Sequence, residues 1–146
     1  MKAILGILCC LIILNAPFRS NARESVLSAG PILGFPIGIG LAVEAKPKSA
    51  FRIQSTVGTV LMVNSIGLRG VLFPPALNNG YLFAGGGRYL FIAPDVNVYR
   101  NYYWVGVGTR NDHRNGASFF EVGYVAETDT HTGLMAISVG YLIGGR

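Results

Sequence analysis

The sequence predicts an all-β fold, a closed antiparallel up-and-down transmembrane β-barrel of about eight strands. Three observations predict it. From Phe35 onward apolar residues recur at every second position, the period of a strand whose successive side chains point to opposite faces. The opposing face carries glycine, small polar residues and single charges, an arrangement that suits a barrel standing in lipid. Beyond the first 22 residues there is no cysteine, and glycine, proline or charge interrupts every apolar run. Neither disulfides nor a membrane helix can then hold the chain, whereas a closed sheet in a membrane can.

At 146 residues the chain is sized for one domain, and 51% hydrophobic residues is a high fraction for a water-soluble one. Part of that excess is N-terminal. Met1-Lys2 is a short basic start, Ala3 to Leu14 is apolar, and Ser20-Asn21-Ala22 offers small residues before a cut. Residues 1–22 read as a cleaved signal peptide, leaving 23–146 as the barrel domain. The apolar run falls short of the roughly 20 residues that a spanning helix needs. Cys9 and Cys10 leave with the signal, and Leu8 fits poorly with a lipid-anchored cysteine. Removing Lys2 and Arg19 from the 12 Lys/Arg leaves ten against 7 Asp/Glu, scattered singly. That mild basicity argues against a nucleic-acid partner.

Taken in order, seven strands read from Phe35 onward; residues 25–34 are a candidate eighth that does not alternate cleanly, with Pro31 and Pro36 limiting pairing there. Phe35, Ile37, Ile39, Leu41 and Val43 then share a face opposite Gly38, Gly40, Ala42 and Glu44, and Lys46-Pro47-Lys48-Ser49 turns the chain. Phe51, Ile53, Val57, Leu61 and Val63 oppose Arg52, Gln54, Thr56 and Gly58. Asn64-Ser65 reads as the next turn. Ile66, Leu68 and Leu72 then oppose Gly67, Arg69 and Val71 until Pro74-Pro75 ends the strand. A strand opens at Asn78-Asn79-Gly80 and continues through Tyr81 and Phe83. Gly85-Gly86-Gly87 reads as a bulge or bend, after which Tyr89, Phe91 and Ala93 oppose Arg88. Val105, Val107 and Thr109 alternate with Gly106 and Gly108, and Arg110 to Gly116 reads as a polar loop. The last hairpin is the clearest. Phe120, Val122, Tyr124 and Ala126 oppose Glu121, Gly123 and Glu127. Across the turn 128–132, Met135, Ile137, Val139, Tyr141 and Ile143 oppose Ala136, Ser138 and Gly140.

Phasing these strands places Arg52, Gln54, Arg69, Arg88, Glu121 and Glu127 in the lumen, with Glu44 beside them. An eight-stranded barrel is filled by its own side chains, so buried charges there must pair. Neutralisation of a polar lumen is preferred to a catalytic or ion-conducting core, and the glycines make room for long arginines. Tyr102, Tyr103, Tyr124 and Tyr141 are assigned to aromatic girdles at the membrane interfaces, whereas Trp104 falls on the glycine face. No cofactor or metal is expected. His113 and His131 lie in successive connections, which emerge at opposite ends of a barrel. Asp112, His113 and Ser118 are close in sequence but are not read as a catalytic set.

This alternation, with Val139-Gly140-Tyr141-Leu142 in the last strand, resembles the small OmpA/OmpX-type outer-membrane β-barrel proteins. In that family a terminal phenylalanine follows; here Ile143 stands in its place and Gly144-Gly145-Arg146 extend beyond it. The resemblance implies a Gram-negative-type cell outer membrane, with outer-membrane lipid and the barrel-assembly machinery as partners. It names no surface partner. The expected role is structural or surface-interacting, with a filled lumen and no open pore. Two alternatives are a secreted soluble β-sandwich or lipocalin-like binder of an apolar ligand, and an outer-membrane lipid-modifying enzyme.

Overall fold

The computed structural model describes residues 27–60, 63–92, 97–130 and 132–144. The expected signal peptide at 1–22 lies outside the described residues, as do Leu61, Ala93 and His131. The strands are β1 Leu27–Gly34, β2 Gly38–Lys48, β3 Phe51–Val60, β4 Val63–Leu72, β5 Gly80–Ile92, β6 Asn97–His113, β7 Gly116–Glu127 and β8 Gly133–Gly144. Each pairs antiparallel with the next, and β8 returns to β1, so the eight close a barrel in sequence order. Closure leaves no unpaired edge. One end, here the far end, carries the connections at 35–37, 61–62, 93–96 and 128–132. The terminal end carries those at 49–50, 73–79 and 114–115, together with the start of β1 and the end of β8.

The irregular first strand makes the closing seam. Ser28, Gly30 and Ile32 face inward while Ala29, Pro31 and Leu33 face outward. Pairing with β8 is formed at Ala29↔Ile143 and Ile32↔Gly140 and lapses between them, where Pro31 has no N–H to donate. Gly30 lets the two strands approach: a Cβ there would run into the Tyr141 carbonyl oxygen.

The alternation sorts the side chains with the apolar set outward. Ile39 is 71% exposed and Met135 70%, while Ala136 and Ser138 beside Met135 are buried. This orientation is the reverse of a soluble sandwich, in which the apolar faces would turn toward each other.

Five local expectations are corrected. Ile37 does not share the outer face; it sits in the turn before β2, free of strand alternation, and joins the buried cluster with Ile32 and Tyr102. The turn expected at 46–49 moves on to 49–50, because β2 absorbs Pro47 in a register irregularity between Ala45 and Lys48. Asn64-Ser65 lies within β4, where buried Ser65 donates from Oγ to the Ile37 carbonyl at 3.0 Å. The three glycines make no bulge. Gly85, Gly86 and Gly87 pair one-to-one with Arg69, Leu68 and Gly67, and with Trp104, Tyr103 and Tyr102. Their role is space, since a Cβ on Gly85 or Gly87 would collide with Arg69 or Tyr102. Finally, 110–113 belongs to β6, paired with 116–119 of β7, so the loop shrinks to 114–115.

Candidate functional site

The lumen is built in three layers. In the middle, Arg69 of β4 faces Glu121 of β7, both almost wholly buried. Arg69 Nη1 donates to Glu121 Oε2 at 2.8 Å and Nη2 to Oε1 at 2.6 Å, a fork matching both carboxylate oxygens. Its Nε donates to Gln54 Oε1 at 2.6 Å, and Nη2 reaches the same oxygen. Tyr81 Oη donates to Glu121 Oε1 at 2.5 Å and Ser138 Oγ to Oε2 at 2.6 Å. The guanidinium also lies 4.3 Å from the Trp104 ring centroid and 4.7 Å from that of Phe83.

Toward the terminal end, Glu44 of β2 accepts from Arg110 Nη1 at 2.9 and 3.0 Å and from Arg52 Nη1 at 2.8 Å. Arg110 Nε donates in turn to Asp112 Oδ1 at 2.7 Å. Phe73, from the 73–79 connection, lies beneath both arginines, at 4.5 Å from Arg52 and 6.0 Å from Arg110. Toward the far end the rings of Tyr89 and Tyr102 stack at 4.5 Å. Across the two polar layers Arg52, Arg69 and Arg110 stand against Glu44, Asp112 and Glu121, three cations to three anions. The space among Glu44, Arg69, Arg110 and Glu121 is about 0 Å³ for a water-sized sphere. Chemically the arrangement is a neutralised, hydrogen-bonded plug; its carboxylates are committed and no room remains for a substrate.

Of the residues assigned from sequence, Arg52, Gln54, Arg69 and Glu121 meet in this plug. Glu127 faces inward at the far rim, where it accepts from Thr130 Oγ1 at 3.0 Å, apart from the arginines. Arg88 is corrected: it stands on the outer face, exposed, because β5 runs unbulged from outward Leu82 and every second residue keeps that direction. Tyr102 is corrected as well. It is 3% exposed and points into the lumen, since its neighbour Tyr103 takes the outer face and successive strand residues cannot share one. Tyr103 and Tyr124 stand outside near the far end, joined by Tyr99, and Tyr141 stands outside near the terminal end. Arg110 is the lumen residue that the sequence reading assigned to a loop. Continuing the period of two from Trp104 through Gly106 and Gly108 would have found it.

His113 Nε2 and Ser118 Oγ meet at 3.0 Å on the outer face, with the His113 ring stacked on Tyr141. Asp112 points the other way, toward Arg110, so the acid does not orient the imidazole. Among the described residues no group of three His, Cys, Asp or Glu side chains could hold a metal ion. No family model, curated protein or solved structure matches this chain.

Proposed function

We propose that the chain is a small outer-membrane β-barrel protein with a structural or surface-interaction role, its lumen closed by the Arg/Glu plug. The observation that carries this reading is the outward apolar belt. Ile39, Leu41, Leu68, Val107, Met135 and Ile137, drawn from four strands, are each more than half exposed. In water such a belt would drive association, because monomeric soluble proteins rarely expose more than a few hundred Å² of contiguous apolar surface. In lipid it is the surface that a barrel requires.

Three further features agree with it. Strands β2, β3 and β4 are 11, 10 and 10 residues long, near the roughly 9–11 that a tilted strand needs to cross a bilayer. Tyr99, Tyr103 and Tyr124 near one end and Tyr141 near the other occupy positions suited to interfacial rings. Arg52, Arg69 and Arg110 are gathered inside and paired with Glu44 and Glu121, where a bilayer leaves no alternative. Among the described residues no helix is long and apolar enough to cross a membrane.

A soluble binder of an apolar ligand fits less well, because the polar layers of the lumen are packed and most of the large aliphatic side chains stand outside. The reading implies export, insertion by the barrel-assembly machinery, and lipid as the permanent partner. Fractionation followed by electrophoresis with and without heating tests it. A membrane-fraction band whose mobility changes on heating is expected; a soluble band with unchanged mobility would contradict it.

A further inference from the structure

Arg88 is out of place on an apolar face. It projects outward from β5 between Ile66 of β4 and Asn101 of β6, its register partners in the sheet. Among the described residues it takes part in no ion pair. Its Nε donates to Asn101 Oδ1 at 2.8 Å, and its guanidinium lies 5.8 Å from the Tyr99 ring centroid. Among the described residues this holds the group by one nitrogen and leaves Nη1 and Nη2, the outer fork, uncommitted. Asn101 Oδ1 being occupied by Arg88, its amide NH₂ is left to donate.

Beside this cation the outer wall is hollow. Ser55, Ile66, Leu68, Gly86, Arg88 and Asn101 line a groove of about 430 Å³. Gly86 provides its floor, as the outward residue one pair along from Arg88, standing between Leu68 and Tyr103. The next outward residue on β5 is Ala84, so the small-residue track continues away from the far end, toward mid-barrel. Arg88 itself lies near the far rim. On its β6 side the Asn101 carbonyl already accepts from Thr128 N–H, beyond the end of β7, at 3.1 Å. A cation at the rim and an apolar track running inward from it make a two-part site. The fork matches phosphate oxygens, which arginine binds with two parallel N–H···O bonds, and the track matches hydrocarbon.

We propose that this groove is a lipid site: one acyl chain lies over Gly86 between Leu68 and Tyr103, and Arg88, positioned by Asn101, binds the phosphate of the same lipid. The inference rests on the membrane reading above and adds to it a named contact and headgroup chemistry. An outward arginine otherwise only weakens a lipid-facing wall, by an amount that falls toward zero at the interface.

The test uses the full chain refolded into phosphatidylcholine vesicles carrying a trace of spin-labelled phosphatidylglycerol or of diacylglycerol with the same chains. The wild-type barrel is expected to immobilise the phosphate-bearing lipid about tenfold more strongly than diacylglycerol, one charge-assisted contact's worth. Arg88→Gln should abolish that preference, Arg88→Lys should keep part of it, and Ser55→Phe should weaken binding of both lipids by filling the groove. Equal preference in wild type and Arg88→Gln, or none in wild type, overturns the proposal. Displacement of the labelled lipid by millimolar glycerol phosphate also overturns it, since the site would then be one for free phosphate. Heat-modifiable mobility is recorded on every sample. Arg88→Gln, which touches nothing in the lumen, should insert as wild type does. Failure of the wild type itself to insert refutes the membrane reading and this site with it, whereas insertion without lipid selectivity refutes the site alone.

Discussion

Replacing Arg69 by methionine removes the cation from the middle of the plug and keeps most of its hydrocarbon length. Glu121 would remain, 1% exposed, with only the Tyr81 and Ser138 hydroxyls as donors. Gln54 would also lose its partner. Breaking a buried pair from one side costs about 3–5 kcal/mol, mostly because a charge is left uncompensated. Arg69 makes bonds to two side chains and sits against two rings, so the upper part of that range is expected. Glu121→Gln removes the opposite charge, leaves Arg69 stranded, and should cost a similar amount. Combining the two leaves neither charge alone, so the double variant should lose about 2 kcal/mol or more less than the sum of the single losses. Trp104, the chain's single tryptophan, stacks 4.3 Å from the Arg69 guanidinium and reports the event directly. Urea titrations of the folded barrel in detergent or vesicles, followed by its emission, give the four free energies of the cycle. A single-variant cost below about 1 kcal/mol, or additive losses in the double, would refute the reasoning that this pair closes the lumen.

Two tyrosines in the same lumen should behave oppositely. Tyr81→Phe deletes a donor to Glu121 and should cost about 1.5–3 kcal/mol, while Tyr89→Phe should be neutral or slightly stabilising, because the Tyr89 hydroxyl is buried without a hydrogen-bond partner among the described residues; urea midpoints separate them. Gly30→Val should prevent the β1–β8 seam from closing, since its Cβ meets backbone rather than a movable side chain; loss of the heat-modifiable band is the readout, and a normal band would contradict it. Ile137→Arg should cost about 2–4 kcal/mol near the midplane and block stable insertion into vesicles, which co-flotation of the variant would disprove.

The closed order of strands was legible because the period of two survives in nearly every one, and it survives because one face is predominantly apolar. Local errors came where the period alone does not set direction. The glycine triplet looked like a break, and reading Tyr89 and Phe91 as the outer apolar face sent Arg88 inward, whereas Tyr81, Phe83 and Tyr89 fill the lumen. Only the facing Arg69 and Tyr102 side chains explain why glycine is needed there without a bend. Tyr102 and Tyr103 could not both be girdle residues, a contradiction present in the sequence itself. Arg110 was lost because a polar run reads as a loop; its partner Glu44 lies 66 residues away, and no local pattern joins them. The groove beside Arg88 depends on four strands meeting and has no signature along the chain.

The central claim, that the apolar belt faces lipid, is tested most directly at Ile137, which is 55% exposed on the outer face of β8. A spin label placed there, in the chain reconstituted into vesicles, is measured for collision with oxygen, which partitions into lipid, and with a water-soluble nickel reagent. The account predicts high oxygen and low nickel accessibility at 137, opposite to a label at Thr130 in the 128–132 connection. High nickel accessibility at 137, or exclusion of both reagents, would place that face in water or inside protein and would contradict it.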